Sequence, residues 1–274
     1  MDSPLFRNLQ IMNVQAMEEP RKIVDLLPGK YTQFNDKCFS CLESDDIIVG
    51  KCEVEQFNHL EDDIEAAYLE MLSLITHRGK KHLWRCWNKI PHINQQERGT
   101  ERYQLFCTGR HRAFVGTKAI HETDLPAATA VGTDDTFISL TFIASKTKGY
   151  SIENPNQISA YRYPRQYGQD SPLFSRAYLA SEILFVSGTA SIRGHQSLHG
   201  KDLIGQLNES LQRIRELTVN KEVKLLRAYV RDADNLPTVD AFIRRAYPQI
   251  SRIQLEKADI CRKELLVEIE VVAK

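Results

Sequence analysis

The chain has 274 residues, 42 % apolar and 26 % charged, enough to bury one large core or two domains of roughly 100 to 150 residues each. Its 36 basic and 36 acidic side chains cancel, which excludes a global field able to hold a nucleic-acid backbone or an anionic membrane; any anion must be caught by local arginines. No run of about 18 apolar residues is present, so no membrane-spanning helix is expected. The opening MDSPLFRNLQIM has neither the basic nor the apolar region of a signal peptide, and a cytoplasmic location follows as an expectation. The six cysteines (Cys38, Cys41, Cys52, Cys86, Cys107, Cys261) are scattered and read as free thiols.

In chain order, DDIIVGKCEVEQF (45–57) reads as a strand or hairpin arm. Leu60, Ile64, Ala67, Tyr68, Met71, Leu72 and Ile75 then recur at helical spacing, with Glu61, Asp62 and Asp63 in the first turn, where the helix dipole favours acids. HLWRCW (82–87) and FISLTFIAS (137–145) read as strands separated by irregular sequence. Residues 145–157, SKTKGYSIENPNQ, are polar and rich in turn formers, and place a boundary between a half spanning 1–148 and a half spanning 149–274.

The second half repeats the plan. ILFVSGTASI (183–192) is a strand that breaks at Ser187-Gly188. Leu203, Leu207, Leu211, Ile214 and Leu217 form the stripe of a helix, VKLLRAYVRD (223–232) is a strand, and a third helix carries Val239, Phe242, Ile243 and Ala246 up to Pro248. RIQLEKAD (252–259) and LLVEIEVV (265–272) close the chain as strands. The order β-α-β-α-β-β predicts an α+β fold whose helices cover one face of each sheet.

The last strand carries the sharpest chemical signal. Leu265, Val267, Ile269 and Val271 share one face; Leu266, Glu268, Glu270 and Val272 share the other. A carboxyl in apolar surroundings stays protonated near neutral pH and can act as a general acid, whereas on an edge strand both glutamates would simply be solvated. Arg252 opens the preceding strand and would lie across from the pair in a hairpin, offering a fork for a carboxylate. Ser187-Gly188-Thr189-Ala190-Ser191 brings small residues to a strand end, where backbone can approach a ligand, though the pattern is not that of a phosphate loop.

Cys261 is a candidate active-site thiol or a small buried hydrophobe. Cys38-Phe-Ser-Cys41 has the spacing of half a zinc site with no second pair, and His111, His121, His195 and His199 show no ligand pattern; no metal is expected. AYRYPRQYGQDSPLFSRAYL (160–179) packs rings and cations around two prolines, a composition suited to a binding wall or to an exposed protein-binding loop.

That stretch, followed by LFVSGTASIRGHQS and ADICRKELLVEIE, resembles the chorismatases, enzymes that cleave chorismate to pyruvate and a benzoate or dihydrobenzoate and that are often labelled pteridine-dependent dioxygenase-like. GRHRAF (109–114) resembles a further family segment, and the last hundred residues resemble the YjgF/RidA-like (chorismate mutase-like) fold, with Arg252 and Glu268 at its carboxylate-binding and acidic positions. The resemblance implies two such halves in one chain, no cofactor, chorismate as the partner rather than nucleic acid or membrane, and a monomer or a trimer. It implies Glu268 as the acid that protonates the enolpyruvyl methylene, and Arg252 and Arg176, supported by Arg110 or Arg165, as the carboxylate ligands. Tyr161 and Tyr167 would bound the ring.

For the product, Cys261 goes with 3- or 4-hydroxybenzoate, a quinone or secondary-metabolite precursor, while alanine rather than glycine at Ala190 goes with hydrolysis to a dihydroxycyclohexadienoate. A hydroxybenzoate is the expected product. A RidA-type imine deaminase on the same fold is the remaining alternative.

Overall fold

The computed structural model describes residues 18–56, 58–118, 120 and 124–274; the opening segment and His121 lie outside them. The first half begins with helix α1 (Glu18–Val24) and strands β1 (Thr32–Asp36), β2 (Phe39–Glu43) and β3 (Ile47–Glu55). Helix α2 (Leu60–His77), β4 (His82–Pro91), the short hairpin β5 (Gln96–Glu97) and β6 (Thr100–Glu101), helix α3 (Arg102–Thr117), β7 (Ala127–Thr133) and β8 (Phe137–Ser145) follow. Its sheet has the order β1-β2-β3-β8-β4-β7, leaving β7 at an edge.

The second half contains β9 (Tyr150–Ile152), β10 (Ala177–Ala180), β11 (Ile183–Ala190), the small hairpin β12 (Ile192–Arg193) and β13 (Gln196–Ser197), helix α4 (Leu203–Leu217), β14 (Val223–Val230), helix α5 (Leu236–Ala246), β15 (Ile253–Lys257) and β16 (Val267–Ala273). Its sheet runs β15-β14-β16-β11-β10-β9.

Each half is a sheet with two helices on one face, and the sheets pack through their other faces. All seven apolar positions of the α2 stripe are buried in one core with Phe106, Ala113 and Phe114 of α3 and Cys86 and Phe142 of the sheet. Gly109 lets the two helices meet: a Cβ there would lie 2.3 Å from the Glu61 carbonyl oxygen and 2.9 Å from Ile64 Cβ. Helix α4, capped by Asp202 accepting from the Gly205 N–H at 3.0 Å, and helix α5 bury their stripes against Leu226, Ala228, Val267, Ile269 and Val271. Between the sheets, Trp84, Trp87 and Ile143 meet Phe185, Leu225 and Val272.

Three expectations are corrected. The strand 183–190 does not break at Ser187-Gly188; it carries a bulge between Val186 and Thr189 and continues to Ala190. The last two strands form no hairpin, because β15 pairs parallel to β14 through the α5 crossover and β16 pairs antiparallel on the other side of β14. Strand β16 is therefore central, and its glutamates are not solvated: Glu268 and Glu270 are 4 % and 5 % exposed. The stretch between β4 and β8 is not irregular, since it holds α3 and β7. Cys38 and Cys41 are both core residues, and all six cysteines are free.

Candidate active site

A cavity of about 310 Å³ opens along the free edge of β7, between α3 on one side and β11 and β16 of the second half on the other. That size suits a single-ring ligand. The edge of β7 is tied to the second half on both sides of the opening. The Ser175 N–H donates to the Pro126 carbonyl at 3.1 Å, the Ala128 N–H donates to Ser187 Oγ at 2.8 Å, and the Gly132 N–H donates to the Asp259 carbonyl at 2.7 Å. The bulge in β11 serves the same joint: the Gly188 N–H donates to Thr129 Oγ1 at 3.0 Å.

Glu268 projects from β16 into this cavity. Its carboxyl lies against Gly188, where a Cβ would come within 1.9 Å of Oε1, so the absence of a side chain at 188 is what lets the acid sit there. Among the described residues Glu268 forms no ion pair. Burial, and then the negative charge of Glu270, push its pKa up to about 8, against smaller opposing pulls from Arg85 and Arg176. Glu270 turns away from the cavity into the inter-sheet layer, where Trp87 Nε1 donates to it at 2.7 Å, Arg85 Nη2 at 2.6 Å and Thr129 Oγ1 at 2.5 Å, with Arg227 Nη1 at 3.3 Å.

Two buried arginines face the same cavity. Arg110 of α3 is 3 % exposed, and its Nε and Nη2 have no hydrogen-bond partner; its guanidinium is held over Tyr68 and Phe114, at 5.3 and 5.1 Å from the ring centroids. Arg176, 4 % exposed, uses Nη2 to donate to the Ile158 carbonyl and to Tyr163 Oη, both at 2.7 Å, and its buried Nε is unpartnered. Unpaired buried guanidinium N–H groups are costly unless a ligand meets them, and a carboxylate meets them with charge-assisted bonds.

The aromatic segment forms the outer wall. Tyr163 and Tyr167 stand with ring centroids 5.7 Å apart, and the Arg262 guanidinium lies 3.9 Å from the Tyr167 centroid. Arg262 Nη1 donates to the His195 carbonyl at 2.8 Å and to Ser197 Oγ at 3.0 Å, and Tyr167 Oη pairs with His195 Nδ1 at 3.2 Å. The wall is thus pinned to the β12–β13 hairpin. Cys261 lines the cavity next to Arg262; burial and then the Glu268 carboxyl push its thiol well up, so it is a neutral thiol rather than a nucleophilic thiolate.

Of the residues singled out in the sequence, Glu268, Cys261, Arg176, Arg110, Tyr167 and Ala190 line one cavity. Three do not. Arg252 lies just before the edge strand β15, with its side chain 47 % exposed and 3.7 Å from Asp25, because β14 separates that strand from β16. Arg165 is exposed in the single turn Arg165–Tyr167, which points Tyr167 inward. Tyr161 packs against the core of the first half under Arg162, and Tyr163 takes the place at the cavity. Sequence reasoning missed Tyr163, Arg262, Thr129 and Gln157; the first two stand in segments already marked as unusual, while Thr129 and Gln157 carry no local signal. Among the described residues no cluster of His, Cys, Asp and Glu could hold a metal, and no helix is long and apolar enough to cross a membrane.

A protonated buried acid, two buried arginines with unpartnered N–H groups and an aromatic wall suit a small ring compound bearing carboxylates. Residues 27–144 match the family described as chorismatase FkbO/Hyg5-like, N-terminal. A 3-hydroxybenzoate synthase of Streptomyces hygroscopicus is 35 % identical over 232 residues, 76 % of this chain and 68 % of that protein. A chorismatase of Streptomyces rapamycinicus is 32 % identical over 249 residues, 83 % of this chain and 74 % of that protein. A crystal structure of a chorismatase superposes with a TM-score of 0.82 at 30 % identity, covering 88 % of this chain and 79 % of that one. The chain belongs to the chorismatase family.

Proposed function

We propose that this enzyme cleaves the enolpyruvyl ether of chorismate to pyruvate and a hydroxybenzoate, with Glu268 as the general acid. The observation that carries the reading is a carboxyl whose pKa is pushed up to about 8, facing a cavity that also presents unpartnered N–H groups of Arg110 and Arg176. Chorismate is a dianion whose vinyl ether breaks after a proton reaches the terminal methylene carbon, and Glu268 is protonated at neutral pH to supply it. Water attack on the resulting oxocarbenium ion gives a hemiketal that collapses to pyruvate and the dihydrodiol. Attack by the neighbouring ring hydroxyl gives a cyclic ketal, from which pyruvate leaves as one ring C–O bond breaks and the ring loses a proton and becomes aromatic. Arg110 and Arg176 each take one carboxylate, and Tyr163 and Tyr167 enclose the ring.

Pyruvate and hydroxybenzoate together have the atoms of chorismate, whereas the dihydroxycyclohexadienoate route consumes one water. The hydroxybenzoate is favoured by Cys261 at the cavity, and position 3 by the 3-hydroxybenzoate synthase with which this chain shares 35 % identity. The second reading, hydrolysis to the dihydrodiol, rests on the Ala190 methyl lining the same cavity. An imine deaminase, acting on one carboxylate, leaves the second buried arginine without a purpose. Incubation with chorismate, with pyruvate followed through lactate dehydrogenase and the ring product identified by chromatography, decides among these: pyruvate together with 3-hydroxybenzoate is expected, and no pyruvate above background overturns the proposal.

A further inference from the structure

Gln157 closes the segment SIENPNQ, and its side chain lines the cavity while being only 8 % exposed. Its Nε2 donates to the Ile192 carbonyl at 3.1 Å, and its Oε1 is buried with no partner. The orientation of the amide follows from this contact: a carbonyl only accepts, so nitrogen must face Ile192 and oxygen must face away from it. The backbone around Gln157 is fixed as well. Its N–H donates to the Asn154 carbonyl at 3.1 Å, the Gly194 N–H donates to Asn156 at 2.8 Å, and the Ile158 N–H donates to Gly194 at 3.0 Å. An acceptor held this firmly in a buried position without a donor is costly in the empty protein and rewards a ligand that brings one.

We propose that Gln157 Oε1 accepts a hydrogen bond from the ring hydroxyl of the substrate, making Gln157 a specificity-determining residue. The inference rests on the chorismate reading, and the donor inventory of that molecule carries it. Two carboxylates and an ether oxygen accept only; the ring hydroxyl is the one group that donates. The same turn also sets the geometry of carboxylate recognition, because the Ile158 carbonyl holds Arg176 Nη2 at 2.7 Å. Hydroxyl and carboxylate are therefore read at a spacing fixed by two adjacent residues. A site built around a substrate hydroxyl rejects the analogue that lacks it, because the buried acceptor is then left unpaired.

The test compares chorismate with its analogue lacking the ring hydroxyl as ligands of the full chain, by direct binding in a Glu268→Gln background, because the proposed route also uses that hydroxyl chemically. With Gln157 in place the protein is expected to bind chorismate about 10- to 100-fold more tightly than the analogue. Gln157→Leu, and Gln157→Met as a second variant of closer length, are expected to lose that factor on chorismate and to stay within about threefold of the Gln157 protein on the analogue. No preference with Gln157 in place, or an equal loss on both ligands in a variant with an unchanged melting curve, overturns the assignment. Absence of pyruvate release by the native protein from chorismate overturns the chorismate reading itself, and with it this one.

Discussion

The inter-sheet face of β16 has two ends of opposite character. Glu268 and Glu270 are the same residue type, two positions apart on one face, and both are buried. Around Glu270 the first half delivers Arg85, Trp87 and Thr129, and β14 delivers Arg227, so its charge is fully paired. Glu268 instead lies against Gly188 at an open cavity, in no ion pair among the described residues, and its carboxyl keeps its proton to about pH 8. One carboxylate joins the sheets and, by its charge, helps the other remain an acid.

The comparison breaks most visibly at Glu268→Gln. Loss of a positioned general acid is expected to lower pyruvate release by about 10²- to 10⁴-fold while the fold persists. The pH dependence carries the same signature. The native acid is protonated below its folded pKa, so turnover holds through neutral pH and falls as pH rises through about 8. For stability, the folded state binds a proton that the unfolded carboxyl, with its ordinary value of 4.5, releases; native stability therefore declines between about pH 4.5 and 8. The cost at the upper end is on the order of 5 kcal/mol, and Glu268→Gln removes it. Denaturant melts at pH 5 and pH 8.5 should show the variant gaining on the native protein as pH rises; parallel curves would sink the burial account of this acid.

Gly188→Ala tests the same end without touching the acid. The backbone there is not in the left-handed region, so the strand accepts alanine, but the new methyl takes the space of Glu268 Oε1. The carboxyl must rotate away, and a displacement of this size in a proton donor is expected to cost about 10²-fold in kcat with melting little changed. At the other end, Glu270→Gln takes from the fully buried Arg85 the carboxylate it pairs with and is expected to destabilise by about 3 kcal/mol in urea titration. It also removes a charge that raises the pKa of Glu268, so the alkaline limb of the activity profile moves to lower pH. A variant that melts as the native protein does and keeps its alkaline limb would show that the two ends are independent.

How much of this was legible in sequence follows the same line. Period-two alternation placed Glu268 and Glu270 on one face, and the α2 and α4 stripes gave their helices almost to the residue. Helix α3 escaped because its inward positions include Arg102, Gly109 and Arg110 among Leu105, Phe106, Ala113 and Phe114. Read as polar, those residues interrupt the stripe; read as site and close-packing residues, they complete it. Strand β7, AATAVGT, is too short and small in side chain to announce itself, yet its free edge is where the cavity lies. What separates Glu268 from Glu270 was not legible at all, since Arg85 lies 185 positions from Glu270 and nothing local in LLVEIEVV tells them apart.

The smallest expected effect belongs to the arginine that sequence favoured most. Placing Arg252 opposite Glu268 required β15 and β16 to be neighbours, but the α5 crossover makes β15 parallel to β14 and sends it to the sheet edge. Its partner there is Asp25 at 3.7 Å, with the two side chains 47 % and 60 % exposed. An ion pair so solvated contributes at most about 0.5 kcal/mol, and neither the cavity nor its arginines depend on it. Arg252→Ala is therefore expected to keep kcat/KM for chorismate within about twofold, where Arg110→Met, by removing an unpartnered buried guanidinium from the cavity, should raise KM by at least tenfold. The reverse result, a KM that follows Arg252 and ignores Arg110, would mean that carboxylate recognition runs along the outer edge of the second sheet rather than along β7.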